Sequence, residues 1–146
     1  MLIENKKPLC YVMKDGKAPT KSTEGSAGWD VYSSKQITIA SNSVKPIPVG
    51  IKVACEEDEY FRIADRGGHA TKHSMHVVGG VIDSDHRGEV KVAIHNTGDH
   101  PIIIGVGLKV AQMVLTRINP AKFKFVEDEN LLGETGRGSK GGIHEK

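Results

Sequence analysis

Aromatic side chains are scarce: the 146 residues hold one Trp, three Tyr and three Phe. A core built from such a chain is aliphatic, and a nucleic-acid platform that stacks successive bases on interleaved aromatics has nothing to work with. Cysteine is nearly absent. Cys10 and Cys55 lack metal-type spacing, which excludes a zinc ribbon or finger, and they read as free thiols of a reducing compartment, with a single disulfide left open. No run of about 18 apolar residues exists, so no transmembrane helix is expected. The opening Met1-Leu2-Ile3-Glu4-Asn5-Lys6 carries charge where a signal peptide needs an apolar stretch, so the expected location is intracellular, cytoplasmic or nuclear. An excess of one charge sign is also missing. The net formal charge is +2, with both signs mixed along the chain and no polybasic block, so neither nucleic acid nor a membrane surface is an expected partner. Helical periodicity is the last absence: the best helical stretch is a short turn around His69 to His73.

Turn chemistry and short β-rich runs are abundant. The 17 glycines and 6 prolines punctuate the chain. Between them lie strand-like runs at 9–13, 36–39, 44–49, 51–55, 60–64, 75–78, 90–94, 102–104, 109–117 and 122–126. Glu89-Val90-Lys91-Val92-Ala93-Ile94 alternates apolar and polar, as a half-buried strand does. Many short strands at this spacing predict a single all-β domain, a sandwich or barrel. The stretch after Val126 differs. It opens acidic and runs into Gly133-Glu134-Thr135-Gly136-Arg137-Gly138-Ser139-Lys140-Gly141-Gly142, so the expected division is a β domain over 1–126 and a flexible glycine-rich arm over 127–146.

Five islands carry chemistry. Gly79-Gly80-Val81-Ile82-Asp83-Ser84-Asp85-His86-Arg87-Gly88 reads as a β-hairpin with carboxylates at its mouth, suited to a small polar ligand and to activating water. In Ala27-Gly28-Trp29-Asp30, Gly28 permits a tight entry into a strand, and Asp30 is either a turn residue or a metal contact. Arg66-Gly67-Gly68 offers a guanidinium beside exposed backbone N–H groups, which suits phosphate oxygens as well as a plain turn. Gln112 is an amide among apolar neighbours, either internally satisfied or a donor to a ligand. Arg137 and Lys140 lie in the glycine-rich arm, which can close over a ligand.

The order of these islands resembles the trimeric dUTP pyrophosphatase (dUTPase) family. AGWDVYS looks like the family's AGYDLYS, GGVIDSDHRGEVKV like GVIDxDYRGxVxV, KVAQMVL like RIAQLV, and RGSKGG like the start of RGxxGFGSTG. The resemblance spans residues 9 to 142. It implies a jelly-roll-type β-barrel that assembles as a homotrimer with sites shared between subunits. It implies hydrolysis of dUTP to dUMP and pyrophosphate, with Asp83 activating the water that attacks the α-phosphorus. Asp30 would hold Mg²⁺ through water. Arg66, Gly67, Gly68 and Gln112 would line the phosphate path. Backbone groups at Gly80, Val81, Ile82 and Lys91 would read uracil, His86 would meet the deoxyribose, and Arg137 would reach the γ-phosphate.

The chain departs from the pattern at several positions. Gly67 replaces a serine, His86 a tyrosine and Lys109 an arginine, and the arm lacks the phenylalanine that stacks on uracil. Asp65 replaces a proline, and the expectation is a negative charge set beside the triphosphate. Two alternatives stand beside the dUTPase expectation: a weakened nucleotide- or protein-binding module of the same fold, and a pyrophosphatase for another pyrimidine nucleotide.

Overall fold

A computed structural model describes residues 6–133. Among them the strands are β1 (Leu9–Val12), β2 (Trp29–Tyr32), β3 (Ile37–Ile39), β4 (Ser43–Pro48), β5 (Ile51–Ala54) and β6 (Glu59–Ala64), followed by β7 (Met75–Val78), β8 (Val81–Ile82), β9 (Lys91–Asn96), β10 (Ile102–Ile104) and β11 (Lys109–Arg117). A six-residue helix, α1 (Gly67–Lys72), joins β6 to β7, and a 3-10 turn covers Glu129–Leu132. The strands pair in the orders β2-β11-β6-β8, β4-β9-β7, β1-β5 and β10-β3, every pair antiparallel. The all-β, jelly-roll-like expectation is therefore met.

Alternation drives the layering. Along β9, Val92, Ile94 and Asn96 are buried while Lys91 is exposed, and β5 buries Ile51 and Val53 around exposed Lys52. The inward residues form one aliphatic core that includes Ile39, Ile47, Val49, Ile51, Ile94 and Ile104, all at most 1% exposed. Full burial of each such side chain contributes about 1.5–3 kcal/mol. This follows from a chain poor in rings but rich in β-branched residues, which suit the pleated surface. Asn96 is the most deeply buried of the described polar side chains, at 0% exposure. Asn96 donates to the carbonyls of Ile39 (3.1 Å) and His100 (2.8 Å) and accepts from Gly98 N–H (2.9 Å), so its burial is compensated.

Two expectations need correction. Residues 122–126 form no strand, because no partner lies beside them within the described chain; Phe123 and Phe125 are 90% and 92% exposed. The window from Gly79 to Val90 is not itself a hairpin. The hairpin strands are β7 and β9, and the window is the excursion between them, in which Val81 and Ile82 leave that pair and bond to β6.

The glycines that open this excursion are required by geometry. Gly80 has φ +73°, its carbonyl accepts from Ile63 N–H at 2.8 Å, and a Cβ there would lie 2.8 Å from the Ile63 carbonyl oxygen. Gly80→Ala is expected to destabilise by about 1–3 kcal/mol, read as a Tm lowered by several degrees. A Tm within about 1 °C of wild type would contradict that strain. Gly28, the residue expected to permit a tight entry into a strand, directly precedes β2, and a Cβ there would sit 2.5 Å from the Met113 carbonyl oxygen.

Candidate active site

The site begins with a register. β11 runs between β2 and β6, and Gln112 stands opposite Asp30 on one side and Ala64 on the other. Directly opposed residues project from the same face, so an amide and a carboxylate are aligned across the sheet where β6 ends. Past Ala64 the chain turns through Asp65 and Arg66 into α1, and Arg66 folds back so that its Nε lies 3.3 Å from Asp30 Oδ1. The ladder shifts register between Lys109 and Ala111, and there Lys109 brings Nζ to 3.5 Å from Asp30 Oδ2. Ser22 Oγ donates to the same oxygen at 3.2 Å. Asp30 is only 8% exposed, and this set of partners makes its burial as an anion tolerable.

Asp30, Arg66, Gly67, Gly68 and Gln112 line one open cavity of about 370 Å³. Gly67 and Gly68 have no heavy atom within 4 Å of where a Cβ would stand, so the space beside them is open to a ligand. Gln112 spends one N–H on the Asp65 carbonyl at 3.0 Å, which joins its two expected roles: an internally bonded amide that also faces the cavity.

His69, Lys72 and His73 of the α1 segment line the same cavity. His69 Nε2 lies 2.5 Å from the Lys109 carbonyl oxygen, a contact that requires the ring proton on Nε2, and Arg66 Nη1 is 3.2 Å away. Sequence reasoning missed these three as site residues. The available signal was their spacing of three and four along a short turn that follows Arg-Gly-Gly, which puts them on one face.

Asp65 departs from its expectation. Its carboxylate does not line the cavity but turns toward β7, where Oδ1 accepts Val77 N–H at 2.5 Å and Oδ2 lies 3.4 Å from His76 Nδ1. The edge of β7 offers a donor that no strand pairs, and the carboxylate accepts it in a charge-assisted hydrogen bond.

The remaining expected residues gather elsewhere. Gly80 and Val81 line a groove of about 250 Å³ with Tyr60, Arg62 and Val77. Asp83 lines a space of about 450 Å³ that shares Tyr60 and Val81 with that groove. The Asp83 carboxylate is exposed and makes no hydrogen bond with any described residue; the Asp83 carbonyl accepts His86 N–H at 3.1 Å in a turn. Ile82 packs against the core, so only its backbone can face a ligand. His86 and Lys91 are exposed, the latter on β9 opposite Pro48. Arg137, like Lys140, lies outside the described residues. One chain therefore does not bring Asp83 to Asp30, Arg66 and Gln112. A further cavity of about 510 Å³ is an apolar trough lined by Leu9, Cys10, Trp29, Phe61 and Met113 among others, and it holds none of these groups. Cys10 and Cys55 are both free thiols, and burial pushes the Cys55 thiol up.

Residues 14–142 match the family model for dUTPase. A deoxyuridine 5'-triphosphate nucleotidohydrolase of Yarrowia lipolytica is 35% identical over 133 residues, covering 91% of this chain and 84% of that relative. A mutant dUTPase of Staphylococcus bacteriophage 80alpha, solved with dUpNHpp, superposes with a TM-score of 0.81 at 20% identity over 94% of this chain and 99% of its own. A mutant dUTPase from phage phi11 of S. aureus, whose structure details coordination of a structural Mg(II) ion, gives 0.79 at 18% identity over 84% and 98%.

Proposed function

The chain belongs to the dUTPase family, and from that premise we propose how its own residues hydrolyse dUTP to dUMP and pyrophosphate. It is a dUTP diphosphatase. The observation that carries the assignment of roles is the alignment of Asp30, Gln112 and Arg66 around one cavity beside two side-chain-free residues. A triphosphate needs converging donors, and a guanidinium, an amide and backbone N–H groups at Gly67 and Gly68 supply them.

Asp83 is the general base. It takes a proton from the water whose oxygen bonds to the α-phosphorus, and the bond from that phosphorus to the bridging oxygen breaks, releasing pyrophosphate. A carboxylate with no hydrogen bond to any described residue is free for that task. Backbone groups at Gly80, Val81, Ile82 and Lys91 read the uracil edge, His86 packs against the deoxyribose, and Arg137 arrives on the arm 127–146 to meet the γ-phosphate.

Mg²⁺ suits this donor set only as a hydrated ion. Arg66 and Lys109 already occupy both Asp30 oxygens, so Asp30 meets the ion through water. Among the described residues no group of three or more His, Cys, Asp or Glu could hold a metal, which supports an ion carried in by the nucleotide. When bound, the ion supplies charge neutralisation along the triphosphate.

The active form is a homotrimer whose sites combine the Asp30–Arg66–Gln112 cavity of one copy with the Asp83 groove of another. Three features support this: the separation of the two groups within a chain, the exposed rings of Phe123 and Phe125, and the uncovered apolar trough along β1. Among the described residues no helix is long and apolar enough to cross a membrane, and two unpaired thiols suit a cytoplasmic or nuclear enzyme.

The test is pyrophosphate release from dUTP, UTP, dCTP and dTTP, with and without Mg²⁺. dUTP is expected to exceed dCTP by about a hundredfold or more in kcat/KM, because backbone groups that bond the uracil edge are left unpaired against the cytosine edge, while dTTP is disfavoured by the bulk of its methyl and UTP, which carries the same base, by its 2′-OH at the sugar contact of His86. Chelation is expected to slow dUTP turnover by about tenfold or more. Absence of dUTP turnover overturns the assignment, and equal turnover of another nucleotide moves it to a broader pyrimidine pyrophosphatase.

A further inference from the structure

Asp65 occupies a junction between the two groups of site residues. Its carbonyl oxygen accepts from Gln112 Nε2 at 3.0 Å, and its chain neighbour is Arg66, so its backbone belongs to the phosphate-path cavity. Its side chain belongs to the other group. Oδ1 accepts from Val77 N–H at 2.5 Å, and Oδ2 lies 3.4 Å from His76 Nδ1. Val77 lines the groove that contains Gly79 and Gly80, two residues farther along. β7 pairs with β9 on one edge only, so the Val77 N–H satisfied by Asp65 is the free-edge donor of the three-stranded sheet. One residue thus bridges the end of the β2-β11-β6-β8 sheet and the edge of the β4-β9-β7 sheet.

We propose that Asp65 is a positioning residue for dUTP binding, holding its chain's Arg66–Gln112 cavity and Gly79–Gly80 groove, which serve neighbouring sites of the trimer, in fixed relation through its bond to Val77 N–H. The proposal rests on the dUTPase assignment of the two grooves. The carboxylate touches neither substrate nor the reacting atoms. It acts through Gln112 and Arg66 on one side and through β7 on the other. The family's proline at this place stiffens the backbone but has no side-chain acceptor, so this chain fastens the same corner with a charge-assisted hydrogen bond instead.

Both elements that Asp65 fastens bind the ground state. Loosening them raises KM more than it lowers kcat, whereas a merely structural loss removes active molecules and lowers kcat with KM unchanged. The experiment measures pyrophosphate release from dUTP with Mg²⁺ for the full chain and for Asp65→Ala and Asp65→Asn, alongside hydrogen exchange of the Val77 amide. Asp65→Ala is expected to raise KM about tenfold with kcat within about twofold, and to speed Val77 exchange. Asp65→Asn keeps an acceptor oxygen and is expected to restore KM to within about threefold of wild type. If the alanine variant does not fold, Asp65→Leu, which keeps the bulk without the acceptor, takes its place with the same expected split. For Asp65→Ala, a KM within about twofold of wild type, or a fall in kcat alone, overturns the proposal while wild-type dUTP turnover stands. Absence of turnover in the wild type overturns the dUTPase assignment instead, and the two failures are distinct.

Discussion

Asp83→Asn is expected to yield a folded protein that releases pyrophosphate from dUTP about a thousandfold more slowly than wild type, with nucleotide affinity kept within a few fold. The asparagine is nearly isosteric but cannot accept the proton from the attacking water. The substitution is cheap for the fold, because Asp83 is exposed and its carboxylate has no hydrogen bond to any described residue. A change of Tm beyond about 1 °C is therefore not expected. Steady-state pyrophosphate release, paired with equilibrium binding of a non-hydrolysable dUTP analogue, checks both halves. Retention of more than about a tenth of wild-type kcat would remove Asp83 from the role of general base.

The second large effect comes from mixing two inactive variants. Arg66→Ala strips the guanidinium from the phosphate-path cavity and leaves the buried Asp30 with one cation fewer. Asp83→Asn strips the base. Within one chain these residues line different cavities. If each site of a trimer takes Arg66 from one copy and Asp83 from another, a site is intact when the first copy carries the Asp83 change and the second carries the Arg66 change. Each condition holds for half the chains in an equal random mixture, so activity is expected to rise from near zero to about a quarter of wild type. The measurement unfolds and refolds the two variants together and compares their dUTP turnover with each refolded alone. No recovery, with trimers verified by native mass, would place both residues on the same subunit's side of the site.

Much of this site was legible from residue order, and the parts that were not share a cause. Gly79-Gly80-Val81-Ile82-Asp83 could be read as a functional turn because its glycines and carboxylate are local facts. Its pairing is not a local fact, since Val81 and Ile82 bond to β6, a strand about twenty residues earlier in the chain, and such partners leave no local trace. Gln112 was visible as an oddity among apolar neighbours, but its alignment with Asp30 depends on a register shift between Lys109 and Ala111. Asp65 was expected to face the phosphates. Its side chain instead follows the free donor of Val77, which exists only because β7 ends a sheet. His69, Lys72 and His73 carry the signature of a short polar turn, and only the fold of Arg66 onto Asp30 brings that turn to the cavity. The missing strand over 122–126 has the same origin, because apolar content marks what a segment wants to cover without saying which chain provides the cover.

Phe123 and Phe125 stand almost wholly in water, and the trough beside Trp29 and Phe61 is uncovered. Burying two such rings on association is worth several kcal/mol, on the order of 25 cal/mol per Å² removed from water. If the proposed trimer covers these rings, the melting point is expected to rise with protein concentration, as for any molecule whose native form is favoured by mass action. On that proposal, in a cell that makes little of the protein the unassembled copies are the ones exposed to proteases and to sticking, so supply governs lifetime as well as rate.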